Sequence, residues 1–155
     1  PTAVTDKKIT LKEAIGDIIE SPRFFNEETI TEEHPTRKNH DVYTGSYDAK
    51  YMARNRVRSW NEQSFTIQAQ ARNEPQHPQA PKMTYISSDK RIFAKGYELL
   101  YRRLSVRECA RIQTFPDSFV FIYTDIKNGY KMVGNAVPPR LAYAIAIQIR
   151  NALPQ

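Results

Sequence analysis

One short stretch of the sequence carries signals for both the start and the end of a helix, and it constrains the fold of this chain more than any other part does. From Arg102 to Asp117 the sequence sets Ser105 three positions before Glu108, which is the spacing of a capping box at the start of a helix. In such a box the serine hydroxyl and the glutamate carboxylate each accept a hydrogen bond from a free backbone N–H group. Pro116 disfavours helical geometry at the residue before it. The sequence therefore predicts a short helix that is capped at its start and broken at its end.

The predicted helix contains Cys109, the only cysteine of the chain. A single cysteine excludes an internal disulfide and a metal site made of several cysteines. Leu104 and Cys109 occupy the two positions of a hydrophobic staple, and the sequence offers the thiol no neighbouring group that would activate it. We therefore interpret Cys109 as a packing residue. His34 and His40 have no neighbouring ligands, so no metal site is predicted around them.

The positive charge of the chain is unevenly distributed. The formal net charge is +6, yet residues 1–35 carry four basic and eight acidic side chains, and the remainder carries nineteen basic and nine acidic ones. Such a basic portion fits a polyanionic partner, and it fits a merely solvated surface equally well. No apolar run approaches the length of a membrane span, and we expect an intracellular protein.

Three arginines alternate near the start of the basic portion: Arg54, Arg56 and Arg58. In an extended chain alternate side chains share one side, so the three guanidinium groups would face the same way. A guanidinium fork can pair with the major-groove acceptors of guanine or hold a phosphate. The alternative is an exposed strand edge that carries charge against aggregation. Gln68 and Arg72 add side chains of the kind that contact base edges.

Before the central stretch, capping and periodicity predict one helix and a set of extended segments. Thr10 and Glu13 form a second capping box, and the apolar face of the helix that follows reaches Ile19. Three further segments are predicted: a long loop or partly disordered segment over 22–39, a half-buried strand over 65–69 and a hairpin over 83–94. These extended pieces indicate a small, irregular, β-rich lobe.

After the central stretch, the sequence predicts an extended apolar segment over 119–123 and a turn at Asn128-Gly129. The loop from Gly134 to Pro139 then leads into a final helix, because proline suits the first helical position. This helix carries an apolar stripe formed by Leu141, Ile145 and Ile149. The stripe must pack against something, and the chain offers little material to cover it.

The stretch from Arg102 to Asp117 and the segment Gly134–Pro139, with Tyr130-Lys131-Met132 before it, resemble motifs IX and X of DNA (cytosine-5) methyltransferases. The run from Asn55 to Trp60 and the run His77–Pro81 are similar to the target-recognition region of bacterial modification methylases, particularly those that act on GGCC. The resemblance implies an α+β fold. An irregular β-rich target-recognition lobe would be joined to C-terminal helices that complete a Rossmann-like α/β methyltransferase domain.

The resemblance also implies three parts and a reaction. Residues 1–21 would lead from the catalytic domain, residues 22–101 would form the target-recognition domain, and residues 102–155 would pack on the catalytic domain. Enzymes of this family transfer a methyl group from S-adenosylmethionine to a flipped cytosine in duplex DNA, using the thiolate of a Pro-Cys motif. This sequence has no Pro-Cys pair, no Glu-Asn-Val and no glycine-rich cofactor turn.

We therefore expect the chain to be the C-terminal part of a DNA (cytosine-5) methyltransferase of a restriction-modification system, located in a bacterial cytoplasm. It would be inactive without an N-terminal catalytic part, either as a fragment or as one subunit of a split enzyme. Its partners would be double-stranded DNA and that catalytic part, with no membrane partner. The alternative is a standalone DNA-binding or regulatory module without catalysis.

By the same resemblance, individual residues take three roles, and none of them is catalytic. The cofactor S-adenosylmethionine, bound mainly by the missing part, would be contacted by Gly134, Asn135 and Ala136. The residues that face DNA would be Arg54, Arg56, Arg58, Gln68 and Arg72. The residues that hold the recognition domain in place would be Arg102, Arg103, Arg107, Glu108 and Arg111.

Overall fold

The computed structural model describes residues 8–26, 30 and 34–153; parts of the expected segments at 1–21, 22–39 and 102–155 lie outside these residues. The described residues form a small α+β fold made of short elements. The helices are α1 (Leu11–Ile15), α2 (Ala49–Met52), α3 (Val106–Ile112), α4 (Ile126–Asn135) and α5 (Pro139–Ala152). The strands are β1 (Arg23–Phe25), β2 (Asp41–Tyr43), β3 (Thr84–Ser87) and β4 (Lys90–Ile92), and single 3-10 turns lie at Ala71–Asn73 and Glu98–Leu100.

The strands form two separate two-stranded sheets. Strands β1 and β2 are parallel, with Arg23 opposite Asp41, whereas β3 and β4 form an antiparallel hairpin. The predicted hairpin over 83–94 is therefore confirmed. The predicted loop over 22–39 is wrong in part, because it contains β1. This three-residue strand carries no periodic signal, and it is fixed by its pairing with β2.

Two apolar clusters hold the described residues together. The larger one surrounds α3 and α4 and includes Leu11, Ile15, Tyr43, Ile67, Leu104, Val106, Cys109, Ile126, Tyr130 and Val133. The smaller one lies under the hairpin and consists of Val57, Ala80, Met83 and Tyr101. Helix α3 therefore lies at the centre of the larger core, where most of its residues are buried.

Helix α3 begins and ends as its sequence predicts. The Ser105 hydroxyl accepts a hydrogen bond from the backbone N–H of Glu108 at 3.1 Å, and the Glu108 carboxylate accepts one from the Ser105 N–H at 2.7 Å. The helix ends at Ile112, and Thr114 has a positive φ of 68° that turns the chain away. The second capping box, between Thr10 and Glu13, is also present.

Three predictions from local pattern are wrong. Helix α1 ends at Ile15, with Gly16 as its cap, so Ile19 lies beyond the helix and is 89% exposed. The strand over 65–69 is absent: its side chains alternate between exposed and buried, but the backbone N–H of Gln68 donates to the Glu74 carboxylate rather than to a strand. Asn128-Gly129 is not a turn and lies inside α4.

The reason for the error at Asn128-Gly129 is tertiary. Asp125 caps α4 through a hydrogen bond from the N–H of Lys127 at 2.8 Å. Ile126, Tyr130 and Val133 follow at helical spacing and are fully buried against α3 and β2. This packing outweighs the turn propensity of an Asn-Gly pair. Among the helices of the described residues, none is long and apolar enough to cross a membrane.

Candidate nucleic-acid interface

The arginine segment is an extended chain that is fixed on one side. It follows α2, which begins with Asp48 accepting a hydrogen bond from the N–H of Tyr51 at 2.7 Å. Within the segment Val57 is buried in the smaller core, and the carbonyl of Arg56 accepts from the N–H of Gln76 at 2.9 Å. With Val57 turned inward, the arginines on either side of it are left at the surface.

Two of the three arginines are ordered by protein contacts. The Arg56 guanidinium donates to the carbonyl of Tyr51 at 3.1 Å and lies 4.6 Å from the centre of that ring. The Arg58 guanidinium donates to Glu62 at 3.0 Å and lies 4.3 Å from the centre of the Phe65 ring. Arg54 is exposed and makes no ion pair with another described residue. The segment therefore combines two cations that lie over aromatic rings with one exposed cation.

The side chains of Gln68 and Arg72 are both exposed on neighbouring loops. The contact between Arg58 and Phe65 brings the segment that leads to Gln68 against the arginine segment. Gln76, four residues beyond Arg72, pairs with the backbone at Val57. The five predicted DNA-facing residues therefore belong to three loops that adjoin one another.

From inside the core, Arg103 anchors the loop at Arg72 and the loop over 43–46. It is fully buried, and its guanidinium donates to the carbonyls of Tyr43, Gly45, Ser46 and Arg72 at distances of 2.7 to 3.3 Å. It also lies 4.1 Å from the centre of the Tyr47 ring. A single planar cation thus joins two chain segments through four backbone carbonyl groups.

Arg102, Glu108 and His77 form a second anchor. Arg102 donates two hydrogen bonds of 2.7 Å to the buried Glu108 carboxylate. His77 Nε2 lies 3.5 Å from the same carboxylate. Burial by itself would raise the pKa of Glu108, but the hydrogen bonds and charge of Arg102 outweigh it and hold that pKa at about 2. Burial lowers the pKa of His77 to about 4, so this imidazole is neutral at physiological pH.

Arg107 and Arg111 tie α3 to the segments on either side of the core. Arg107 is buried and donates to the carbonyls of Lys38, Pro116 and Phe119. Arg111 forms ion pairs with Asp17 and Asp117. All four arginines around α3 therefore donate to groups of the protein itself.

The sequence reasoning missed Asn39, which completes the contacts of Arg107. Asn39 has a positive φ of 62°, and its side-chain amide donates to the carbonyl of Phe121 at 2.7 Å and accepts from the N–H of the same residue at 2.9 Å. Its side-chain oxygen also accepts from Arg107 at 3.2 Å. An asparagine in a loop next to a histidine gives no signal of this kind in the sequence.

Glu74 was missed as well. Its carboxyl group is buried, accepts from the N–H of Gln68 at 3.1 Å and lies 3.5 Å from the Cys109 sulfur. Burial raises the pKa of Glu74 to about 8. Burial, with the carboxylates of Glu74 and Glu108, also raises the pKa of the Cys109 thiol well above its ordinary value. Cys109 therefore stays protonated, as expected of a packing residue.

The predicted cofactor residues lie at the end of α4 rather than in a loop. Gly134 and Asn135 belong to its last turn, so the loop prediction is wrong for both, and Ala136 is its C-cap. A Cβ atom on Gly134 would come within 2.3 Å of the Gln68 carbonyl and within 2.4 Å of the Ala69 nitrogen. One side of Gly134 is therefore in contact with the loop that carries Gln68.

Asn135 faces an open groove of about 570 Å³ that is also lined by Ile122, Tyr123, Thr124, Asn128, Lys131 and Met132. Its side chain is exposed there. The groove is open to solvent, and its polar side chains include Asn128 and Lys131 as well as Asn135. Among the described residues, no group of three or more His, Cys, Asp or Glu side chains could hold a metal ion.

The final helix exposes its apolar stripe. Helix α5 begins at Pro139, as predicted, and none of its residues is buried. Along one side, Leu141, Ile145 and Ile149 are 45%, 49% and 56% exposed. A stripe of this kind on a 14-residue helix is typical of a surface that packs against another part of a fold.

Comparison with known proteins places the whole length of the match in one family. The profile of the C-5 cytosine-specific DNA methylase family matches residues 1–151. The Type II methyltransferase M.MthTI of Methanothermobacter thermautotrophicus is 51% identical over 148 residues, which cover 96% of this chain and 45% of that protein. M.FnuDI of Fusobacterium nucleatum is 56% identical over 116 residues, covering 75% of this chain and 34% of that protein.

M.NgoPII of Neisseria gonorrhoeae, also a Type II methyltransferase, is 46% identical over 160 residues, covering 98% of this chain and 45% of that protein. The chain thus spans less than half of the length of each of these relatives. The match nevertheless extends along almost all of the chain itself, and on this basis the protein belongs to the C-5 cytosine-specific DNA methylase family.

Proposed function

We propose that this chain is the DNA-recognition and C-terminal portion of a DNA (cytosine-5) methyltransferase of a restriction-modification system. In this proposal residues 22–101 read duplex DNA, and residues 1–21 and 102–155 join them to an N-terminal catalytic part. The helices complete a Rossmann-like domain with that part, and the whole works in the bacterial cytoplasm. The target is expected to be GGCC, from the resemblance of the arginine segment and the run His77–Pro81.

The observation that carries the proposal is the anchoring of the loops around the arginine segment by Arg102, Arg103 and Glu108, at the start of α3. Arg103 holds the loop over 43–46 and the loop at Arg72. Arg102 and Glu108 lie against His77, which follows the strand-like contact between Val57 and Gln76. A surface that reads bases must keep its register on the duplex, and anchoring of this kind supports that requirement.

The arginine segment fits a role in binding. Arg56 and Arg58 lie over the rings of Tyr51 and Phe65, so less side-chain entropy would be lost on contact with DNA. We assign Arg54, Arg56, Arg58, Gln68 and Arg72 to the DNA-facing surface. Phosphates would supply most of the affinity, and contacts with guanine edges would supply the specificity.

We assign the nucleophile of the methyl-transfer reaction to the N-terminal catalytic part. Cys109 is buried, and the raised pKa of its thiol is unsuited to a nucleophile. Asn135 and the backbone of Ala136 would contact S-adenosylmethionine at the edge of its site, and this cofactor would supply the methyl group. Our proposal therefore gives the present chain the tasks of binding, orienting and enclosing, without a covalent step.

Reconstitution tests the proposal. The chain is mixed with a polypeptide that carries the Pro-Cys half, and transfer of a radiolabelled methyl group to duplex DNA is measured. We expect transfer only in the mixture, and only to duplexes that contain the target. Cys109→Ala in this chain should leave transfer intact, because the thiolate comes from the other polypeptide. Binding of the two polypeptides without methyl transfer would contradict the proposal.

The same chain alone tests the alternative of a standalone module. Selective binding of a GGCC duplex over a scrambled one in a gel-shift measurement, without the catalytic half, would favour that module. The exposed stripe on α5 disfavours it, because an independent module would be expected to cover such a stripe.

A further inference from the structure

We propose that the β3–β4 hairpin and the turn that follows it form a second DNA-contact surface, which binds phosphates of the duplex outside the target sequence. We call it the hairpin surface and define it by Tyr85, Lys90, Lys95 and Tyr97. It rests on the proposed function, because it presumes that the loops around the arginine segment bind duplex DNA. It adds a contact that reads no base.

The hairpin surface is basic and exposed. Residues 82–97 include four basic side chains and a single acidic one, Asp89. The Asp89 carboxylate accepts a hydrogen bond from the Ser87 hydroxyl at 2.7 Å, within the turn itself. Lys90 and Lys95 are exposed and form no ion pair with any other residue that the structure describes. These two ammonium groups are therefore available to a polyanion.

The hairpin is fixed beside the arginine segment. Arg91, on β4, donates to the carbonyl of Ala53, and the N–H of Met83 donates to the side-chain oxygen of Asn55 at 3.0 Å. Phe93 stacks on Tyr101 with ring centres 4.2 Å apart. The hairpin thus flanks Arg54 on a rigid attachment, and a duplex held by the arginine segment would continue past it.

The uncharged part of the surface also suits a nucleic-acid backbone. Tyr85 is 62% exposed and Tyr97 is 53% exposed. Tyrosine hydroxyls donate to phosphate oxygens, and such contacts position a protein on DNA without reading its sequence. Lysine, as a compact charge on a flexible stem, is likewise suited to phosphates rather than to base edges. The chemistry of the surface therefore points to backbone contacts.

The test compares two double substitutions in the chain combined with its catalytic part. Lys90→Gln with Lys95→Gln removes two charges from the hairpin surface. Lys8→Gln with Lys12→Gln removes two charges from exposed positions at α1 and serves as the matched control. Binding is measured as a function of salt on a target duplex of about 30 base pairs and on one of about 10 base pairs, roughly one helical turn.

We expect the hairpin variant to lose about tenfold in affinity on the longer duplex at low salt and to lower its salt slope by up to about 2, since each phosphate contact contributes about 0.9. Target and scrambled sequences should lose equally. The short duplex and the control variant should show little change. Circular dichroism should show both variants folded, because all four lysines are exposed.

Three other outcomes would each contradict a different claim about DNA binding. If the unaltered protein does not bind duplex DNA, the proposed function fails. If it binds and the hairpin variant matches the control, the hairpin surface is no DNA contact, and its lysines only protect a strand edge from pairing. If the loss is confined to the target sequence, the contact reads bases and the claim of sequence independence is overturned.

Discussion

Glu74 illustrates how a single buried side chain can couple this fold to pH. Its carboxyl group faces the Gln68 N–H and the Cys109 thiol, with the charge of Arg103 nearby. Burial is the main cause that raises its pKa from 4.5 to about 8. The folded protein therefore holds this proton more tightly than the unfolded chain does. Between these two values the unfolded chain releases the proton first, so stability falls as pH rises.

Below about pH 6.5 the lowered pKa of His77 acts in the opposite direction, so we predict that the free energy of unfolding decreases as the pH is raised from about 7 to about 8, and that Glu74→Gln removes most of this decrease. The amide keeps the shape of the group and never ionises. Urea unfolding at several pH values measures the effect. Glu62→Gln is the control: the pKa of Glu62 is about 2, so its contribution changes only in acid. An unchanged slope in the Glu74 variant would contradict the prediction.

At the scale of the element, the sequence predicts what depends on neighbouring residues and fails where distant ones decide. Helix α3 was predicted because its cap needs only Ser105 and Glu108, three positions apart. The hairpin over 83–94 is likewise predicted because its two strands and their turn are neighbours in the sequence. The predicted strand over 65–69 is wrong because the backbone N–H of Gln68 donates to the side chain of Glu74, and because Gly134, far along the chain, packs against Gln68 and Ala69. No local pattern records such a pairing.

In the candidate site, too, the sequence predicts what depends on neighbouring residues and fails where distant ones decide. Alternating arginines are visible in the sequence, whereas the fold leaves Arg54 exposed and Arg56 and Arg58 half-buried. The rings under Arg56 and Arg58, and the four carbonyls around Arg103, come from chain segments that only the fold brings together. The sequence could therefore propose which residues meet DNA, but not what holds them there.

The close approach of α4 to the loop at Gln68 gives a prediction at this scale. In Gly134→Ala the new Cβ would meet the main chain of Gln68 and Ala69, which cannot turn aside as a side chain can. We expect a loss of about 2–4 kcal/mol of stability, because the helix and the loop must separate. In the complex with the catalytic part we also expect weaker binding of target DNA.

Gly129→Ala, in the same helix, is the matched control. Its Cβ would meet the ring of Tyr123 at 2.8 Å, and that ring can turn at the cost of its hydrogen bond to Asp41. Alanine also gains about 1 kcal/mol of helix propensity over glycine. In denaturant unfolding, the Gly134→Ala variant should therefore be clearly less stable than the Gly129→Ala variant. Equal losses of stability in the two variants would mean that the loop at Gln68 moves to accommodate the new Cβ and that its position does not depend on α4.

At the scale of the whole molecule, the basic and apolar surfaces lie on different parts of the chain. The arginine segment and the hairpin surface come before residue 100, whereas the apolar stripe lies on α5. Helix α3 and the two cores connect them. A molecule built in this way can bind a polyanion with one part while its last helix packs against another polypeptide.

The α5 stripe supplies the prediction that belongs to this scale. Leu141→Glu with Ile145→Glu should leave the unfolding of this chain unchanged, since none of the α5 residues is buried within it. Each side chain fully buried at an interface contributes about 1.5–3 kcal/mol, so the double variant should weaken association with the catalytic part by about 100-fold or more. Calorimetric titration of one polypeptide with the other measures the change, and methyl transfer should fall in parallel.

Tyr143→Glu is the control, because Tyr143 is exposed and lies roughly on the opposite side of the helix. If the control impairs association as strongly as the double variant, the stripe is not the surface that meets the catalytic part.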